Sequence, residues 1–259
     1  MIANRVSNMT VTAQAARRAA FKVAAYRPSI AASTRAFYHS YEHEQPPPYG
    51  TQETAILSEA LRQVPIYGFT QEALSDGAKN AGYLDISTNL FPKGTFEVIR
   101  YHLVTQRVGL KDRVQFPDAQ IGVGRKVRSL VLARLRGNIE AGTVAHWQGA
   151  LAQMSLLENM SASLSELAKL SDEIWFLAGD TSVDTSWYTK RASLSSVYAA
   201  TEIYQTQDQS TDFKDTEAFL DRRLEDVRVL GSSVGNTVQW AGFQAGAMVN
   251  LLRSKGVRI

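Results

Sequence analysis

From Thr51 onward, nearly every large apolar side chain recurs at intervals of three or four residues, and that spacing restricts the chain to helical folds. Ile56, Leu57, Ala60, Leu61 and Val64 share one face, with Pro65 as the expected stop. A short helix is predicted from about Thr70 to Asn80, closed by Ala81-Gly82, and another over Ile86–Phe91. Phe96, Ile99 and Leu103 mark the next, followed by Val127, Leu130, Val131 and Leu135, and then by Trp147, Leu151, Met154 and Leu157. Leu167, Leu170, Ile174 and Trp175 repeat the pattern within Leu164–Leu177. Longer helices are expected from Thr185 to Gln207 and from Thr216 to Leu230. No stretch alternates apolar and polar residues between hairpin turn signals, and no internal repeat of fixed period is visible. The expectation is an all-α fold of about nine or ten helices.

The two ends of the chain differ from this body. The 259 residues carry 28 Lys+Arg and 25 Asp+Glu, a net charge of +3. Six of the basic residues (Arg5, Arg17, Arg18, Lys22, Arg27, Arg35) precede Glu42, where there is no acid, so the remainder has 22 basic against 25 acidic side chains and a charge of −3. The overall positive charge is therefore no argument for a polyanion-binding body. Val11, Ala15, Ala19 and Val23 set an apolar helix face against Arg17, Arg18 and Lys22 in residues 1–40, the composition of a mitochondrial transit peptide. Arg35-Ala36-Phe37 resembles a matrix processing site; the alternative is a basic tail. Pro46-Pro47-Pro48 excludes a helix and makes residues 41–50 a linker, with Thr51 as the expected N-cap.

Catalytic signals are few. The chain has no cysteine, which removes disulfides, thiolate metal sites and a Cys nucleophile. His39 and His43 lie in the head and linker, and His102 and His146 lack a second ligand at helical spacing, so each reads as a hydrogen-bonded histidine and not as a metal ligand. Gly122-Val123-Gly124 lacks the third glycine and the preceding strand of a dinucleotide loop. No nucleophile elbow and no phosphate loop occur. Neither a cofactor nor a metal is expected, and no enzyme activity.

Tyr67-Gly68-Phe69-Thr70 through Gly82, followed by a helix near Ile86–Phe91, has a helix-turn-helix layout and resembles the N-terminal unit of TetR-type regulators. A ligand-responsive DNA-binding regulator is therefore an alternative reading. A recognition helix needs Arg, Lys, Asn or Gln toward base edges and cations for phosphates, however. The second helix offers Asp85 and only Asn89 as a base reader, so no nucleic-acid partner is expected.

The C-terminal segment 231–259 is unlike the rest. Gly231 to Leu252 is free of charge, and Val234, Val238, Ala241, Ala245, Met248 and Leu252 recur at spacings of 4,3,4,3,4. Trp240, Phe243 and Leu251 widen the apolar face; Arg253, Lys255 and Arg258 follow it. Gln239, Gln244, Asn236 and Asn250 make it too polar to span a bilayer. Trp240, Phe243, Met248, Leu251, Leu252, Arg253 and Lys255 are the expected contacts of an interfacial membrane helix. The alternative is a helix packed in a core or a dimer interface.

The block Thr185-Ser186-Trp187-Tyr188-Thr189-Lys190-Arg191-Ala192, together with Tyr198-Ala199-Ala200-Thr201-Glu202, Gln207-Asp208 and Asp215-Thr216-Glu217-Ala218-Phe219-Leu220, resembles the mitochondrial coenzyme Q biosynthesis accessory family of TetR-like lipid-binding proteins. Val64-Pro65 and Tyr67-Gly68-Phe69-Thr70 match its helix-turn-helix portion. The resemblance implies a TetR-like lipid-binding domain over residues 51–230. It also implies a non-catalytic peripheral protein on the matrix face of the mitochondrial inner membrane, contacting inner-membrane lipids. Such a protein takes an isoprenoid quinone or a phospholipid as ligand. It presents quinone intermediates to its partner, the di-iron demethoxyubiquinone hydroxylase, within the coenzyme Q biosynthetic complex. A homodimer follows from the resemblance as well.

The same resemblance makes Trp187, Tyr188 and Arg191 the partner-binding patch; the alternative for Trp187 is a core anchor at the start of its helix. Phe96, Trp147, Met154, Trp175 and Tyr198 are large apolar residues at helix-face positions and candidates for the lipid site. Residues of this kind at helical spacing are more often core.

Overall fold

The computed structural model describes residues 49–116, 121–180 and 186–232. The head, nearly all of the Pro-rich segment, and Trp240, Phe243, Met248, Leu251, Leu252, Arg253 and Lys255 lie outside these residues.

Among the described residues there are nine α-helices and three 3-10 turns, and no strand. The first pair is a helix-turn-helix. α1 spans Thr51–Tyr67 and α2 spans Gln71–Asn80. Gly50, not Thr51, is the N-cap of α1, and the Glu53 carboxylate accepts from the Gly50 N–H at 2.9 Å. Pro65 does not stop α1. It sits in the last turn, where the helix runs on to Tyr67 and ends at Gly68, whose φ of 69° needs a residue without Cβ. A proline this late in a helix removes one backbone bond and leaves few turns to break. The Thr70 side chain caps α2 by accepting from the Ala73 N–H.

The expected helix at Ile86–Phe91 is a 3-10 turn, Asp85–Leu90, with no buried residue. α3 follows at Phe96–Val108, then the single-turn α4 at Leu110–Arg113 and α5 at Val123–Glu140. A 3-10 turn at Val144–His146 leads into α6, Trp147–Met154. The predicted run through Leu157 is broken at Leu156, which is extended (ψ 140°), and α7 starts afresh at Leu157 and runs to Leu177. α8 is Ser186–Gln205, and α9 is Lys214–Ser232 after a third 3-10 turn at Thr211–Phe213.

These helices bury two apolar clusters. One gathers Ile56, Leu57, Ala60 and Val64 of α1, Leu74 and Ala78 of α2, Phe96, Val98 and Ile99 of α3, and Trp147 and Ala150 of α6. The other joins Val127, Leu130, Val131 and Leu135 of α5 with Leu170 and Ile174 of α7, Leu194, Val197 and Tyr198 of α8, and Leu220 of α9. Each fully buried Leu or Ile contributes ~1.5–3 kcal/mol relative to exposure. The order of elements, a helix-turn-helix followed by a larger helical part, is consistent with the TetR-like layout. No helix among the described residues is long and apolar enough to cross a membrane.

The 3-10 turn in the position of a recognition helix, with the residue that precedes it, exposes Leu84 and Ile86 to 76% and 71%, on either side of Asp85. No arginine or lysine lies between Tyr83 and Pro92. Its surface is apolar and weakly acidic.

Candidate functional site

The start of α8 forms a compact aromatic and ionic assembly. Tyr188 is 72% exposed and Trp187 is half-buried beside it, the two rings packed edge to face at 4.7 Å. The Arg191 guanidinium lies one turn further along and 3.9 Å from the Trp187 ring centroid. Only 9% of Arg191 is exposed, so it does not present a charge outward. Its Nε donates to Asp172 of α7 at 2.5 Å, its Nη1 lies 3.5 Å from Asp180, and Nη1 also donates to the Trp187 carbonyl. The guanidinium is thus clamped between two carboxylates and a ring face.

Neighbouring residues complete the support. Lys190 Nζ donates to Asp180 at 2.8 Å and sits 5.5 Å from the Trp175 ring centroid. The Trp175 indole N–H donates to the Lys190 carbonyl at 3.1 Å. Gly179, at φ 87°, allows the turn that brings Asp180 back over the end of α7. The assembly therefore presents an aromatic pair while its charges are neutralised behind it. An exposed Trp or Tyr fixed by an Arg is the type of group that dominates protein–protein binding energy. Of the three residues proposed from sequence, Trp187 and Tyr188 reach the surface and Arg191 positions them. Asp172 and Asp180 carry no periodic signal and could not be named from sequence, since it is the fold-back of α7 on α8 that sets both beside Arg191.

The five candidate lipid-site residues fall into two groups. Phe96 and Trp147 are buried in the first cluster, with Met154 packed against it; Tyr198 is buried in the second, with Trp175 at its edge. The structure does not bring all five to one place. A recess of about 320 Å3 is lined by Ser58, Leu61, Arg62, Tyr101, Thr105, Glu140 and Ala141, none of them among the five.

Between the two clusters runs a buried polar seam. Asn138 of α5 is its centre. Arg134 Nη1 donates to Asn138 Oδ1 at 2.6 Å, and Asn138 Nδ2 donates to Glu202 Oε1 at 3.0 Å. Arginine only donates and carboxylate only accepts, so these two bonds fix the amide orientation. His102 Nε2, 2.8 Å from Asn138 Oδ1, must then be the protonated nitrogen of a neutral imidazole. Burial, reinforced by the Arg134 charge, pushes His102 down to about 3 and keeps it neutral. The Tyr198 hydroxyl donates to Glu202 at 2.6 Å, and Gln205 accepts from Asn138 while donating to the Leu135 carbonyl. Burial first, and then the Glu202 charge against an opposing Arg134, pushes the Tyr198 phenol well up. Arg134 and Glu202 approach within 3.8 Å without a direct hydrogen bond. The sequence shows His102 only as a hydrogen-bonded histidine, and its partner Asn138 lies on α5, 36 positions away. No cluster of potential metal ligands occurs among the described residues.

Comparisons with known proteins agree on one family. The COQ9 family model matches residues 160–231, from α7 into α9. The ubiquinone biosynthesis protein coq9, mitochondrial, of Schizosaccharomyces pombe is 36% identical over 228 residues, covering 88% of this chain and 90% of the relative. The chain belongs to the COQ9 family. The Xenopus laevis protein COQ9-A is 35% identical over 218 residues, 75% of this chain and 68% of its own. The Homo sapiens protein COQ9 is 38% identical over 185 residues, 68% and 57% respectively. Both carry the same description, ubiquinone biosynthesis protein, mitochondrial. The COQ9 match contains the whole Trp187–Tyr188–Arg191 assembly and the α8 side of the seam, Tyr198, Glu202 and Gln205. Arg134, Asn138, His102 and Trp147 precede it.

Proposed function

We propose that this protein is a non-catalytic accessory protein of mitochondrial ubiquinone biosynthesis that binds polyprenyl quinone intermediates and presents them to the di-iron demethoxyubiquinone hydroxylase. Its COQ9 relatives are named ubiquinone biosynthesis proteins and mitochondrial, which supports the pathway and the compartment. The observation that carries the partner reading is the Trp187–Tyr188 pair, Tyr188 exposed and Trp187 half-buried beside it, locked from behind by Arg191, Asp172 and Asp180. The Tyr188 ring faces solvent, while Trp187, for which a core anchor is the alternative, is half-buried. The charge-free apolar stretch 231–252 and the cations after it suit a docking helix at the matrix face of the inner membrane. The physical need is plain: isoprenoid surface loses about 25 cal/mol per Å2 on entering water, so a partner enzyme working at the surface requires an apolar relay.

The exposed Leu84 and Ile86, in place of base-reading cations, disfavour the DNA-binding alternative. The test uses the full-length protein with Trp187→Lys. The variant is expected to keep its helical circular dichroism and its retained isoprenoid quinone in native mass spectrometry, and to lose co-purification with the hydroxylase at least tenfold. Undiminished co-purification would remove the patch reading. A wild-type protein that neither retains nor takes up an isoprenoid quinone would remove the lipid reading.

A further inference from the structure

The polar seam contains groups that the protein itself does not satisfy. Arg134 Nε and Nη2, the Trp147 indole Nε1 and His102 Nδ1 are buried and have no hydrogen-bond partner among the protein groups. The residues that carry them are at most 1% exposed. They belong to one neighbourhood: Arg134 and His102 share Asn138 Oδ1, and the His102 and Trp147 rings meet edge to face at 5.2 Å. The great majority of buried polar groups in folded proteins are bonded, and each unmet one costs about 1–3 kcal/mol. Four in one seam specify a complement.

The tautomer defines that complement. His102 Nε2 carries the proton, so Nδ1 offers a lone pair and needs a donor. Arg134 and Trp147 offer only N–H groups and need an acceptor. A carbonyl oxygen answers the second demand and not the first; an ammonium answers the first and not the second. One group does both: an O–H, which accepts through oxygen and donates through hydrogen. The Arg134–Glu202 pair cancels formal charge within the seam, so the complement is neutral.

We propose that the seam between α3, α5, α6 and α8 is a binding site for a neutral hydroxyl-type oxygen, accepting from Arg134 and Trp147 and donating to His102 Nδ1. Two sources carry that chemistry: an internal water, and the ring hydroxyl of a bound phenol or quinol. The second source rests on the lipid-binding reading above and deepens it, because a site of this kind discriminates a quinol, which has the hydrogen to donate, from the corresponding quinone, which has not.

The experiment uses the 15N-labelled full-length protein and a benzoquinone bearing one isoprene unit, oxidised and chemically reduced. The Trp147 indole N–H is assigned by its loss in Trp147→Phe. The expected wild-type spectrum has a cross-peak from that N–H to water and a His102 Nδ1 shift typical of a hydrogen-bonded, unprotonated nitrogen. If a ring hydroxyl is the source, the quinol abolishes the water cross-peak and binds at least fivefold more tightly than the quinone, and Trp147→Phe loses the preference. If water is the source, the cross-peak survives both forms and the two bind alike; the site stands with water in it. An indole N–H in contact with neither water nor ligand, together with a bare His102 Nδ1, overturns the proposal. Trp147→Phe also removes packed volume, so the wild-type spectra decide if that variant does not fold. Failure of both redox forms to bind would undo the lipid-binding reading alone and leave the water arm intact.

Discussion

Arg191→Met tests whether the aromatic pair is held by the charge behind it. The substitution keeps an unbranched stem and helix propensity and removes four interactions at once: the 2.5 Å ion pair to Asp172, the 3.5 Å approach to Asp180, the hydrogen bond to the Trp187 carbonyl, and the guanidinium 3.9 Å from the Trp187 ring centroid. Breaking one side of a fully buried ion pair costs ~3–5 kcal/mol, and a desolvated cation–π contact is worth ~2 kcal/mol. Two features reduce the sum. The side chains of Arg191 and Asp172 retain 11% and 16% exposure, and Lys190 still satisfies Asp180 at 2.8 Å. The expected loss is about 3 kcal/mol, a fall in Tm of roughly 6–12 °C for a domain of this size. Calorimetry of wild type, Arg191→Met, Trp187→Leu and the double variant gives the coupling between ring and guanidinium, expected near 1–2 kcal/mol. Arg191→Lys should fall between, since a lysine keeps the charge but not the flat stack. The reasoning fails if the two substitutions add within about 0.3 kcal/mol, or if Arg191→Met melts with the wild type.

Gly77→Ala should destabilise although Ala is the better helix former by about 1 kcal/mol: a Cβ there would stand 2.5 Å from the Ala60 backbone, where α2 crosses α1. A net loss of about 2 kcal/mol in urea unfolding is expected, and a raised midpoint would show that the crossing opens freely. His102 gives a pH prediction. Its folded value of about 3 lies below the ordinary histidine value, so the unfolded chain binds the extra proton and stability falls as pH drops below about 6.5. Between pH 6.5 and 5 this one group should cost about 2 kcal/mol, and His102→Gln should flatten that part of the urea-midpoint profile. An unchanged slope would mean that His102 titrates normally.

How far the sequence reached can be seen from particular residues. The spacing of Val127, Leu130, Val131 and Leu135 placed α5 because a 3.6-residue period survives in one dimension. Thr70 is a local signal, a side-chain cap, and it marks the start of α2; the left-handed end of α1 at Gly68 goes unread where Pro65 looks like the stop. Pro65 misled: the cost of a proline depends on how many turns remain after it, which spacing alone does not reveal. The break at Leu156 was equally hidden, since Trp147, Met154 and Leu157 keep helical spacing across it. The Trp187–Tyr188 pair was legible by resemblance, because an aromatic dipeptide in a polar block is a local pattern.

What lies behind that pair was not legible. Asp172, Asp180 and Arg191 meet only because α7 folds back on α8, and the same approach turned Arg191 from a presented charge into an internal support. The seam depends still more on tertiary structure. His102, Arg134, Asn138 and Glu202 sit on three helices, and each looks unremarkable in its own sequence window. By itself the sequence determined the helical class, the helix-turn-helix without a basic reading surface, and the family, since these follow from periodicity, charge and local motif. Which polar groups face one another in the dry interior was decided only by packing, because hydrogen bonding between distant helices leaves no period in the chain.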